Sequence, residues 1–151
     1  MAALPIKKDS AYTEAEMIAF LTAATIPMRL AVIDNRGRPL VASHWFRYGD
    51  GHFYCAIHSS SLVAKLAARN PGCGFEIAGD TIPYHGVRGQ GTVELLTAGA
   101  EENLRELILR YLGDTESALA KWLLGRAEGE YLVKITPAWV TSWDFRERMA
   151  K

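Results

Sequence analysis

Apolar residues fall into two periodic patterns along the chain, one helical and one alternating. Met17, Phe20 and Leu21 share one helical face in the stretch from Thr13 to about Ala24. Thr13 with Glu16 three residues on predicts a capping box at its start, and Thr25, Ile26 and Pro27 end it. The preceding residues, 1–12, read as a loose arm. Strand-like runs follow at 28–34, 40–48 and 52–57, separated by Asn35-Arg36-Gly37-Arg38 and Gly49-Asp50-Gly51, which predicts a three-stranded antiparallel meander. Ser59, Ser60 and Ser61 offer caps to a short helix reaching Asn70, with Leu62, Leu66 and Ala67 at helical spacing and Pro71-Gly72 as its stop. Strands are expected at 73–78 and 85–96. The second carries Gly86, Gly89 and Gly91, which suit a bulge, a barrel corner or close approach of a ligand. Leu104, Leu107, Ile108 and Tyr111 make 100–112 the clearest helix, closed by Gly113. A further helix is expected at 116–124 and a strand at 131–135. Pro137 is expected to interrupt that strand before a last one at 138–145.

The order of elements excludes a doubly wound parallel sheet, which needs regular strand–helix alternation. It predicts a mostly β fold with peripheral helices around a closed or nearly closed antiparallel barrel. A length of 151 residues suits one domain, 1–151, and no linker or repeat divides it. Lys plus Arg and Asp plus Glu both number 17, so charge gives no reason to expect nucleic acid or a membrane surface as partner. No apolar run approaches a membrane span and no signal-peptide core is evident near Met1, so a cytoplasmic location is expected. Cys55 and Cys73 lie in strand-like stretches and read as reduced, buried thiols. Neither has a CxxC or histidine partner, and no acidic cluster has metal-like spacing, so no metal site is expected.

Several stretches, in order, carry a family resemblance. They are Arg29 to Pro39, Ser43-His-Trp-Phe46, Phe53-Tyr-Cys-Ala-Ile-His58, Ser61-Leu-Val-Ala-Lys65 through Asn70-Pro71, Pro83 to Gly91, and Val133-Lys-Ile-Thr-Pro137 leading to Ser142-Trp-Asp-Phe145. Over roughly residues 26–146 the chain resembles the pyridoxamine 5'-phosphate oxidase-like superfamily of antiparallel split β-barrels. That resemblance implies a homodimer with one FMN in each of two clefts between subunits. Carried over by position, the second-strand contacts fall within Val41 to Phe46, hence on Ser43, His44, Trp45 and Phe46. The third strand supplies Ala56 and Ile57, the helix start Ser61 and Leu62, and Lys65 lies one turn along. The chain departs from the oxidase proper: Leu62 and Val63 stand where an Arg-Lys pair grips the phosphate, and Phe46 stands where the second-strand motif ends in Lys. The stretches that carry the resemblance include no counterpart of the oxidase's C-terminal substrate-binding extension, so pyridoxine chemistry is not expected.

Residue by residue, each role has a plainer alternative. Lys65, beside a serine-capped helix start, suits a phosphate, or is a solvated lysine on an ordinary capped helix. His58 is placed to reach a phosphate or ring edge, or is a loop histidine. Trp45 suits core or interface packing, while the backbone of its strand meets the flavin edge. Arg29 and Arg88 are phosphate candidates or snorkelling strand arginines, and Gln90 is a donor to a ring carbonyl or an outward polar residue. No nucleophile–base pair stands out, and no catalytic side chain is assigned. The expected function is an FMN-dependent oxidoreductase acting on a small molecule. The alternatives are an F420-dependent reductase, a haem-handling barrel using His58 or His85, or a non-catalytic module.

Overall fold

The computed structural model describes residues 2–151 and contains seven strands in one sheet, ordered β2-β1-β5-β6-β7-β4-β3. In chain order the elements are α1 (Glu14–Ala23), β1 (Met28–Ile33), β2 (Pro39–His44), β3 (Phe46–Gly49), β4 (His52–His58) and α2 (Leu62–Arg69). They continue with β5 (Gly72–Ala78), β6 (His85–Leu96), α3 (Ala100–Leu112), α4 (Ala118–Leu124), a 3-10 turn at Ala127–Gly129, β7 (Glu130–Asp144) and α5 (Arg146–Met149). Every strand pairing is antiparallel.

The expected second strand is in fact two. β2 pairs with β1 and β3 pairs with β4, so the two hairpins of the expected meander form at opposite edges of the sheet. A single residue, Trp45, joins β2 to β3. Laid flat, the two edge strands of seven would stand roughly 29 Å apart at about 4.8 Å per strand. One intervening residue spans about 7 Å between flanking Cα atoms. The sheet must therefore curl until its edges meet, and it does so as a half-barrel, the split β-barrel the sequence suggested.

Alternation then sorts side chains. On β4, Phe53, Cys55 and Ile57 are buried while Tyr54, Ala56 and His58 alternate with them on the other face. The barrel core joins these to Met28, Leu30 and Val32 of β1, Phe46 of β3, Phe75 and Ile77 of β5, and Val133 and Ile135 of β7. A second, smaller cluster of Leu104, Ile108 and Ala120 packs with Trp45, Ala56 and Leu123 between α3, α4 and β4. Cys55 and Cys73 are both free, and burial pushes their thiols up to about 12 and about 11.

Local signals place most element ends. The Thr13–Glu16 capping box forms, and Ser61 Oγ accepts from Ala64 N at the start of α2. Helix α4 begins at Ala118 rather than 116, because Asp114 Oδ1 accepts from Glu116 N and Ser117 N and holds both in a turn. Two expectations fail for non-local reasons. The arm before α1 is not loose: Lys7 N donates to Val140 O, Val140 N to Pro5 O and Ala11 N to Ser142 O, and Leu4 and Tyr12 are buried. Nor does Pro137 end a strand. Gly91 pairs with Pro137 and Gln90 with Trp139, so Ala138 is the extra residue of a bulge within a continuous β7. No helix among the described residues is long and apolar enough to cross a membrane.

Candidate functional site

Helices α3 and α4 stand over the outer face of β4 and the start of β7. Ala56 faces them, and its small side chain leaves a gap that larger strand residues would fill. The result is a pocket of about 280 Å³. Leu104 and Leu107 of α3 and Leu119 and Leu123 of α4 wall it on one side, and Ser43, His44 and Trp45 close it where β2 gives way to β3. Glu130, the first residue of β7, completes the lining. The Trp45 ring is held in place by Tyr111, stacked at 5.0 Å between centroids and 6° between planes. The Tyr111 hydroxyl reaches past that stack to accept from Phe46 N and to lie 3.0 Å from Ile26 O.

Two buried side-chain atoms of lining residues have no hydrogen-bond partner among the described residues: His44 Nε2 and Glu130 Oε2. Burial alone lowers the pKa of His44, so it is a neutral imidazole at pH 7. Burial raises the pKa of Glu130, opposed by the charges of His58 and Arg126. Buried polar atoms without partners are few in folded proteins, because each costs about 1–3 kcal/mol of desolvation.

The folded-state pKa of Glu130 lies above the unfolded value, so its penalty is absent below the unfolded pKa and grows as pH rises through the folded one. Glu130→Gln is therefore expected to unfold at a higher temperature than the parent at pH 8, with the difference closing by pH 3.5. Thermal melts across that range check it, and equal melting at pH 8 would contradict the assignment.

The structure brings Ser43, His44, Trp45 and Ala56 together at this pocket. Phe46 and Ile57 instead turn their side chains into the barrel core. His58 follows Ala56 on the same outer face of β4, with Nδ1 2.7 Å from Ser60 Oγ and its ring against Gly129. Ser61 is engaged as the cap of α2, Leu62 is 59% exposed, and Lys65 is exposed with no ion pair among the described residues. Arg88 and Gln90 lie on the outer face of β6. Gln90 accepts from Trp139 Nε1 and borders a different pocket, with Ala31, Gly74 and Ala138, while the Arg88 guanidinium sits 5.2 Å from the Trp143 ring centroid. Arg29 donates to Pro27 O, and His85 Nδ1 lies 2.7 Å from the Tyr12 hydroxyl. Sequence reasoning missed Glu130 and the four leucines. No local pattern distinguishes Glu130 from other acids, because its burial arises from the cross-strand pairing of β7 with β4.

No family model matches the sequence, and no curated protein matches it significantly. Solved structures do match. A conserved hypothetical protein from Mycobacterium tuberculosis is 24% identical, with 95% of this chain and 91% of that one covered and a TM-score of 0.76. An F420 reductase is 17% identical over 80% of this chain and 93% of its own, with a TM-score of 0.68. A pyridoxamine 5'-phosphate oxidase-like protein from Listeria innocua is 15% identical over 87% and 97%, with a TM-score of 0.64. A FAD-binding protein and a haem storage protein share the same architecture. The chain therefore has the pyridoxamine-phosphate-oxidase-like split-barrel fold.

Proposed function

We propose that this barrel is an FMN-dependent oxidoreductase that acts as a homodimer on a small molecule, with the flavin ring seated in the pocket under α3 and α4. The observation that carries the reading is the lining itself: leucine walls, an alanine facing them, a stacked indole, and two buried polar atoms without partners. An apolar slot with a few converging polar groups is how proteins orient a planar heterocycle. At about 280 Å³ it accommodates a ring system rather than a whole nucleotide, so the ribityl phosphate would run outward along β4. There it meets His58, the amide groups at the start of α2, and Lys65. A bound flavin would supply the redox chemistry, and the protein would orient it and keep water from one side of the ring.

Arg88 and Gln90 fit this scheme through the partner subunit. They lie on the β6 face, apart from the pocket in their own chain, so only a second copy would bring them to the cleft. A deazaflavin is the second reading, favoured by the likeness to the F420 reductase and by the replacement of an Arg-Lys phosphate grip with Leu62 and Val63.

The test is the visible spectrum of the protein after incubation with excess FMN, or F420, and desalting, alongside its mass by light scattering. Retention of about one FMN per subunit in a dimer is expected. Lys65→Ala is expected to weaken FMN binding about five- to tenfold, on the order of 1–1.4 kcal/mol, without altering the melting temperature. A monomer that stays colourless with both cofactors would leave a non-catalytic barrel as the better description.

A further inference from the structure

The outer face of β2, β1, β5 and β6 lies open. Val41 is 63% exposed, Arg29, Glu76, Arg88 and Gln90 are exposed, and α2 turns its apolar residues into the barrel core instead. Cross-strand register arranges this face in rows. One runs Ser43, Arg29, Glu76, Arg88, and the next runs Val41, Ala31, Gly74, Gln90. Two shallow grooves meet there at Ala31 and Gly74.

Glu76 lies directly between two arginines, and opposite charges facing one another across strands normally pair. It pairs with neither. Arg29 donates to Pro27 O, the Arg88 guanidinium sits over Trp143, and Glu76 has no ion pair among the described residues. Gly74, one row away, is not required by its own chain. Its φ is not positive, and a Cβ there would come no closer than 3.8 Å to a neighbour, the backbone oxygen of Gly89. Glycine inside a strand costs stability relative to alanine, so one kept without an internal reason marks close approach from outside.

We infer that two copies of the chain meet on this face, around a two-fold axis that runs along the strands between β1 and β5. This rests on the homodimer reading and extends it by naming the surface and its register. Such an axis sets each row, reversed, against itself. Arg29 then faces Glu76 of the partner subunit, and Glu76 faces the partner's Arg29. Ala31 faces the partner's Gly74, so small residues meet where the sheets press closest. Further out, Ser43 faces the partner's Arg88, which brings that guanidinium to the rim of the pocket that Ser43 lines. An axis between β5 and β6 would also oppose Glu76 to an arginine, but it sets Gln90 rather than Ala31 on Gly74 and leaves Arg29 without an acid.

The experiment follows the mass of the full chain by sedimentation equilibrium over a dilution series. The parent is expected to be a dimer. Glu76→Arg and Arg29→Glu each set like charges face to face, and each is expected to weaken the dimer about tenfold or more. Mixed in equal amounts, the two variants are expected to recover the parental affinity as a heterodimer, because every arginine then faces a glutamate. Gly74→Leu is expected to weaken the dimer by a similar factor, about tenfold, through steric clash. Its circular dichroism is expected to match the parent, which separates a blocked surface from a lost fold. A monomeric parent would overturn the inference and the homodimer reading together. A parent dimer whose affinity survives any of the three substitutions would overturn this face and leave the homodimer reading standing. Weakened charge variants that fail to recover on mixing would overturn the register.

Discussion

Gly91→Ala is expected to destabilise the protein by about 1–3 kcal/mol, the range for forcing atoms into a packed site. A Cβ on Gly91 would collide with the backbone oxygen of Thr136 and lie 2.9 Å from Pro137 Cα. Both neighbours are main chain of β7 at the bulge, so no rotamer change relieves the contact. Relief requires shifting the β6–β7 pairing, and that pair is central to the sheet, with β5, β1 and β2 beyond one strand and β4 and β3 beyond the other. Gly79→Ala is the matched control. Nothing lies within 4 Å of a Cβ there and its φ is not positive, so alanine is expected to be neutral or slightly stabilising. Urea unfolding of the two variants checks the pair. A Gly91→Ala change below about 0.5 kcal/mol would mean that the bulge is more compliant than its geometry implies.

Tyr111→Phe is the second large effect, expected to cost about 1–3 kcal/mol through the polar backbone groups it leaves unpaired. One hydroxyl serves the point where the strand changes partners. It accepts from Phe46 N at 3.1 Å, lies 3.0 Å from Ile26 O and 3.3 Å from Phe46 O, and so ties the start of β3 to the segment leading into β1. Burial raises the Tyr111 pKa, so the hydroxyl keeps its proton through neutral pH and the cost should not vary between pH 6 and 8. Phenylalanine retains the ring that stacks on Trp45, whereas leucine does not. Phe at this position is therefore expected to lower stability with only a small loss of FMN affinity, and Tyr111→Leu to lose both, since Trp45 then no longer closes the pocket. Urea unfolding and fluorescence titration separate the two. Unchanged stability in Tyr111→Phe would show that the hydroxyl is dispensable at the strand break.

Arg110, next to Tyr111, strengthens the same junction. Its guanidinium donates to Leu21 O, Thr22 O and Ala24 O, the unsatisfied carbonyls at the end of α1. Helix α3 thus roofs the pocket with Leu104 and Leu107 and anchors α1 and the strand break with its last turn. Fold and site are coupled through this one helix.

The site was only partly legible in the sequence. Position within the resemblance pointed to Ser43, His44, Trp45 and Ala56, which the fold gathers at one pocket. The same reasoning grouped with them Phe46 and Ile57, which alternation sends into the core, and Arg88 and Gln90, which lie on another face of the sheet. Linear position does not say which face a residue takes once a strand breaks. Trp45 shifts the alternation at that point, leaving His44 at the pocket and Phe46 inside the barrel.

Features that depend on neighbours within a few residues were readable along the chain. The Thr13–Glu16 box, the Ser61 cap, the leucine face of α3 and the glycine-rich strand β6 are all set by spacing and backbone preference over one or two turns or pleats. Four features came only with the folded chain: the two-edged placement of β2 and β3, the docking of the arm along β7, the continuity of β7 and its bulge through Pro137, and the burial of Glu130. Each of these is a pairing between distant segments. Its free energy comes from ladder hydrogen bonds and apolar burial that exist only after the sheet has curled, so no local pattern encodes it.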